Sequence, residues 1–278
     1  MTVDAVRVSS GWLALREPAD AAARAPELVE LLVPHLPARQ SIHDLGCGTG
    51  AMGRWLAPLL PGPQHWVVHD RDADLLDVAT TDLPGSAADG AAVTVEARES
   101  DITRLLPGDL AGATLITASA LLDILTGDEL AGLVTACAGA GCPVLLTLSV
   151  VGRVELTPAD PLDSRIAAAF DAHQRRRTDR GRLLGPDAVA FAAGAFRRHG
   201  ADVLVRSSPW RLGPSEAGLA AEWLSGWVDA ACEQQPELAA EAEAYAVRRL
   251  AEAATGELAI TVHHADLLIL TPAGGTSG

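Results

Sequence analysis

The 278-residue sequence contains no lysine; all 21 of its basic residues are arginine. Together with abundant alanine and glycine, this reads as the codon bias of a GC-rich genome and carries no functional message. Basic charge is also in deficit, 21 residues against 36 acidic ones, and the net charge of −15 spreads a negative potential that repels a phosphate backbone. The compact basic run is Arg175, Arg176 and Arg177, so nucleic acid is not an expected partner. Cysteine is scarce. Cys47, Cys137, Cys142 and Cys232 form neither the CxxC pairs of a zinc site nor a disulfide framework, which leaves reduced thiols and no expected metal. No apolar run approaches the roughly 18 to 20 residues of a membrane span, so no membrane partner is expected. The opening MTVDAVRVSS lacks a basic segment followed by an apolar one, so no export signal is read and a cytoplasmic location is expected.

What is plentiful is apolar material, 49% of residues, enough for one core with elaborations. Short apolar runs alternate with longer helical patterns from about residue 26 onward, the order of an α/β fold with a mostly parallel sheet. Seven strands are expected, at 41–45, 66–70, 93–97, 113–118, 144–150, 203–207 and 258–270. Several are apolar nearly throughout, as strands buried on both faces must be, whereas Thr94, Glu96 and Arg98 alternate with apolar neighbours as at an edge. The stretches 151–182 and 213–256 exceed simple crossovers and read as helical insertions. They leave from strand ends, where open α/β sheets bind ligands, and so are placed to cap a site. The tail 272–278 is small and polar enough to fray.

The chemistry is concentrated after the first strand. Ile42 to Gly50 read IHDLGCGTG, and a helix is expected to follow over 51–60, stopped by Pro61. Glycines let the turn be tight and let a ligand press on its backbone. Gly46, Gly48 and Ala51 also satisfy the dinucleotide pattern GxGxxA, so the glycines alone do not select a cofactor. Asp44 does: a carboxylate beside the turn repels a pyrophosphate and attracts a sulfonium or an ammonium. Asp70 ends the second strand where the ribose of a nucleoside would lie, while Asp72 reads as the cap of the next helix.

With its acidic residue, DLGCGTG resembles the first motif of the class I methyltransferases, and the resemblance extends motif by motif over about 28–150. It implies a three-layer αβα sandwich with a seven-stranded, mostly parallel sheet whose last strand is antiparallel, and S-adenosyl-L-methionine as cofactor. It also implies a single methyltransferase domain over 1–278. In that division 1–40 is an N-terminal helical segment, 41–150 the cofactor-binding half, and 151–182 and 213–256 the caps. The cofactor residues it implies are Asp44, Gly46, Cys47, Gly48, Gly50, Asp70, Asp101 and Ile102 beside the adenine, and Ser119 after the fourth strand. An arginine from the N-terminal segment, Arg16 or Arg24, would clamp the methionine carboxylate. The fourth motif departs from the Asn/Asp-Pro-Pro-Tyr/Phe form that holds an amino group for transfer, which directs the expectation to small-molecule acceptors.

On the acceptor side, Asp123 and His173 are the candidate catalytic groups. Asp123 follows the fourth strand within one helical turn, although a carboxylate there also suits a helix start. His173 shares a helical stripe with Ile166, Phe170 and Arg177, a placement from which it could point toward the pocket but that is more often that of a packed core residue. Trp210, Trp223 and Trp227 either line an apolar cavity or pack an inserted helix; His263 and His264 read as structural. The rival readings are an NAD-binding oxidoreductase and a non-catalytic protein that binds the cofactor or a metabolite as a regulator.

Overall fold

A computed structural model of the protein describes residues 8–271, so the tail 272–278, expected to fray, and the first seven residues of the opening MTVDAVRVSS lie outside the described residues. The chain begins with α1 (Ser10–Ala23), capped by the Ser9 hydroxyl, and α2 (Pro26–Leu32). β1 (Gln40–Leu45), α3 (Ala51–Leu56), β2 (Gln64–Asp70), α4 (Ala73–Thr81), β3 (Val93–Glu99) and β4 (Leu115–Ser119) follow. Then come α5 (Gly127–Ala140), β5 (Val144–Thr157), α6 (Asp163–Gln174), a small hairpin of β6 (Arg177–Thr178) and β7 (Gly181–Arg182), and α7 (Ala188–Arg198). The chain continues through β8 (Asp202–Ser207), β9 (Trp210–Leu212), α8 (Ala217–Gln234), α9 (Ala239–Thr255) and β10 (Ala259–Leu270).

The strands lie in the order β3-β2-β1-β4-β5-β10-β8, with β9 on β10. The first five run parallel, and β10 is antiparallel to both β5 and β8. This is the seven-stranded αβα sandwich with an antiparallel last strand that the glycine motif implied. Period-two alternation explains its two covered faces. Leu45, Ile116, Val144, Leu146, Leu267 and Ile269 point to the side packed by α5 and α7. Ile42, Leu115, Leu145 and Leu268 point to the side packed by α2, α3 and α4. β3 is the edge that its alternating charges announced. A third apolar cluster, centred on Trp227, Leu224 and Ile166, holds α6, α8 and α9 over one end of the sheet.

Local rules account for most boundaries. Asp72 caps α4 by accepting from the Asp74 amide, and α5 opens on a reciprocal Thr126–Glu129 capping box and closes on Gly141 at φ 70°. Three expectations need correction. The helix after the glycine turn keeps α geometry only to Leu56, because Pro58 follows and the chain tightens into a 3₁₀ turn. β5 runs on to Thr157, so the first cap starts later than 151. Beyond Val150 the strand leaves the helix-covered sheet, its burial alternates, and Arg153 and Glu155 end the apolar run without ending the pairing to β10. Trp210 opens β9, a short strand on β10 that is not among the seven expected.

Candidate active site

Strand order reverses between β1 and β4, and a crevice opens there at the carboxyl ends of the strands. The glycine turn leaves β1 into it. Gly46, Gly48 and Gly50 all have positive φ, 65°, 55° and 85°, and the turn is pinned by the Cys47 amide donating to the His69 carbonyl at 2.9 Å. A Cβ on Gly48 would stand 3.1 Å from the Leu13 side chain, so α1 lies directly over the turn. The helix is held there by Glu17, which accepts from Arg54 of α3 at 2.7 and 2.6 Å.

Asp44 is fully buried, and one of its oxygens accepts from the Thr117 hydroxyl at 2.7 Å while the other has no partner among the described residues. Burial pushes its pKa up to about 6; the Thr117 bond and the Arg24 charge oppose the rise, and Asp70 adds to it. Arg24, only 3% exposed, carries the matching deficiency. Its Nη2 donates to the Ser119 hydroxyl at 3.2 Å, but Nε and Nη1 have no partner among the described residues. Burial lowers its pKa against the opposing fields of Asp20, Asp266 and Asp44, and the guanidinium sits 5.2 Å from the Trp55 ring centre. Ser119 in turn accepts from Thr147 at 3.0 Å. Buried polar atoms are almost always paired, so an anion and a cation left incomplete beside the glycine turn make this wall the candidate binding site.

Asp70 also braces the turn: one oxygen accepts from the Gly48 amide at 2.9 Å and the other from the Asp72 amide at 3.0 Å. Asp101 stands beyond the end of β3, exposed, and caps a 3₁₀ turn by accepting from the Thr103 amide and hydroxyl at 3.0 and 2.6 Å; Ile102 beside it is buried. Asp266 was missed by sequence reasoning, although a lone acid in the apolar run of β10 was a signal. Its buried carboxylate accepts from the Leu148 amide at 2.8 Å, the Ser208 hydroxyl at 2.5 Å and the Ala25 amide at 2.9 Å. It thereby fixes Leu148 at φ 57° and ties the start of α2 to the sheet.

Next to this wall lies a cavity of ≈ 200 Å³, lined by Trp12 and Arg16 of α1, Ala120, Asp123, Leu148, Phe170, Gln174, Trp210, Trp223 and His264. Ala120, at φ 52°, directly follows Ser119, so the cavity adjoins the Arg24–Ser119 wall. Asp123 is half-buried with no side-chain partner among the described residues, and burial raises its pKa to about 6. The two tryptophans of α8 divide the readings between them: Trp223 lines the cavity, while Trp227, stacked on it at 5.2 Å, is buried in the cap core. His264 lines the cavity and is held neutral by burial, with its pKa near 3. His173 is not among the lining side chains. Its Nε2 faces Glu233 at 3.2 Å and its Nδ1 faces Arg176 at 3.4 Å, so the stripe turns it toward α8. Arg175 is bidentate on Asp187.

Neither a family model nor a curated protein matches the sequence. Solved structures similar in fold do exist, and three of them are distant in sequence. The cyclopropane synthase MmaA2 from Mycobacterium tuberculosis is 12% identical, with 94% of each chain covered and a TM-score of 0.49. A SAM-dependent methyltransferase from Thiobacillus denitrificans, in complex with S-adenosyl-L-homocysteine, is 15% identical over 96% of this chain and all of that one, with a TM-score of 0.45. Its counterpart from Geobacter sulfurreducens, in the same complex, is 16% identical over 95% of this chain and 99% of that one, at 0.44.

Proposed function

We propose that this protein is an S-adenosylmethionine-dependent methyltransferase acting on a small molecule. The observation that carries the reading is the incomplete pairing of Asp44 and Arg24, buried in one wall at the glycine turn. A zwitterionic amino-acid group completes both: its ammonium answers the free Asp44 oxygen and its carboxylate answers the two free Arg24 nitrogens. A pyrophosphate at the same turn would bring negative charge to Asp44, which disfavours the NAD-binding alternative.

In this reading the backbone of Gly46, Cys47, Gly48 and Gly50 forms the floor, Asp70 takes the ribose hydroxyls, Asp101 and Ile102 flank the adenine, and Ser119 orients Arg24. When bound, the cofactor supplies an electrophilic methyl group on a sulfonium that is already a good leaving group. The chain's own task is therefore alignment and exclusion of water. α1 serves both halves: Leu13 covers the turn, Arg24 completes the wall, and Trp12 and Arg16 line the adjoining cavity.

Titration calorimetry with S-adenosylhomocysteine and with NAD tests the assignment. Binding of the first at micromolar concentration and none of the second is expected; the reverse preference sinks it.

A further inference from the structure

We infer that the cavity beside the glycine turn is built for a single-ring phenol, whose hydroxyl donates to Asp123 and gives up its proton there. The inference rests on the methyl-transfer reading above and adds to it the class of acceptor.

The charges around the cavity decide the head group. Arg16 is already bidentate on Asp20 at 2.9 and 3.1 Å. Arg153 is paired with Glu155, and Asp171 faces Arg175 at 3.9 Å. Asp123 has no side-chain donor among the described residues, and the buried Gln174 amide oxygen, an acceptor, has no partner among them. What the cavity lacks is therefore a donor, which the ligand must bring. A carboxylate ligand would meet Asp123 and find Arg16 occupied. An ammonium ligand would meet the like charge of the Arg16 guanidinium, which already covers two of the aromatic faces, 4.9 Å from the Trp210 ring centre and 6.0 Å from that of Trp12. A neutral hydroxyl satisfies both constraints.

Size and acidity decide the body. A dry cavity on the order of 150 Å³ takes up benzene, so ≈ 200 Å³ walled by Phe170, Trp223 and Leu148 admits one substituted ring. A phenol, with a pKa of about 10, lies within reach of a carboxylate base as its oxygen is alkylated, whereas an aliphatic alcohol lies far beyond it. In the transfer the phenolic O–H bond breaks and its proton goes to the Asp123 carboxylate. The oxygen pair forms the new O–C bond, and the C–S pair leaves with sulfur.

The test uses four probes of one shape, p-cresol, p-xylene, 4-methylbenzylamine and 4-methylbenzoate. Their affinities are read by quenching of tryptophan fluorescence in the full chain, with and without S-adenosylhomocysteine. At least tenfold tighter binding of p-cresol than of the other three is expected, shrinking to under threefold over p-xylene in Asp123→Ala. Equal binding of p-xylene, tighter binding of the amine or the benzoate, or an undiminished preference in the variant overturns the inference. The wild-type ranking decides even where the variant fails to fold. Binding of S-adenosylhomocysteine without a p-cresol preference overturns this inference alone. The preference without cofactor binding supports the chemistry of the cavity and overturns the methyl-transfer reading.

Discussion

Thr117 donates its hydroxyl to one oxygen of Asp44 at 2.7 Å, and the other oxygen of that buried carboxylate has no partner among the described residues. One hydrogen bond on a buried anion does not offset its desolvation, which is why its pKa rises to about 6. In the proposed function, the group that incurs this cost is also the one that receives the ammonium of the ligand.

Asp44→Asn therefore separates stability from binding. The folded-state pKa lies above the ordinary value of 3.8, so stability is fully retained below pH 3.8 and is lost as pH rises through about 6. Replacing the carboxylate removes that loss and keeps an acceptor for Thr117. The empty variant should be more stable than wild type at pH 7.5 by about 1 to 3 kcal/mol. It should bind S-adenosylhomocysteine at least tenfold more weakly. Thermal melts with and without ligand check both, and a variant that is less stable yet binds normally contradicts the account.

Arg24→Met is expected to act on the amino-acid end of the ligand alone. Losing a charge-assisted pair to a carboxylate costs about 1.5 to 3 kcal/mol, so affinity for S-adenosylhomocysteine should fall roughly ten- to hundredfold. Affinity for 5′-methylthioadenosine, which has the nucleoside and the sulfur but no amino acid, should stay within threefold. Equal losses for both would mean that Arg24 only supports the fold.

The strand ends and the glycine turn were legible in the sequence because they obey local rules: apolar runs for buried strands, glycine for positive φ, and Asp72 for a cap. The length of β5 was not, since pairing with β10 continues past Gly152 while the apolar signal stops. The stripe grouped His173 with Phe170, yet Phe170 lines the cavity and His173 does not, because helical spacing says which residues share a face and not which neighbour that face meets. The choice between Arg16 and Arg24 depended on Asp20, Ser119 and Asp44, groups up to 95 residues away along the chain.

Acid should destabilise the fold through a buried histidine pair. His69 Nε2 and His43 Nδ1 are 3.1 Å apart, His69 Nδ1 faces the Ser100 hydroxyl at 3.1 Å, and burial lowers both pKa values to about 4. The unfolded chain takes up these protons near pH 6.5, so their contribution is full above that pH and is lost as pH falls toward 4. Asp44 and Asp123 act with the opposite sign over much of the same range, so the comparison must be with a variant. Between pH 6.5 and 4, wild type should lose more stability than His43→Leu/His69→Leu, by on the order of 3 kcal/mol in urea titrations. Parallel pH profiles would show that the pair does not titrate with folding.

The cap holds a buried cation as the wall beside the glycine turn holds Arg24, but here the pairing is nearly complete. Arg249, 1% exposed, donates through Nη2 to both oxygens of Asp163 at 2.7 Å and through Nη1 to Glu252 and the Pro158 carbonyl, each at 2.7 Å. Tyr245 adds a 2.7 Å bond to Asp163. Arg249→Met fills similar volume but removes the cation from the first-turn carboxylate of α6, leaving it the Tyr245 hydroxyl and the Asp160 amide as donors, a break that costs about 3 to 5 kcal/mol. Because α6, α8 and α9 share a cluster separate from the two that cover the sheet faces, the loss should be local. Hydrogen exchange should speed up across α6 and α9 and stay unchanged in β1 and β4. Binding of S-adenosylhomocysteine should persist while the p-cresol preference is lost, since Phe170 and Trp223 come from the cap. Uniformly faster exchange over the whole chain would instead make the cap and the sheet one cooperative unit.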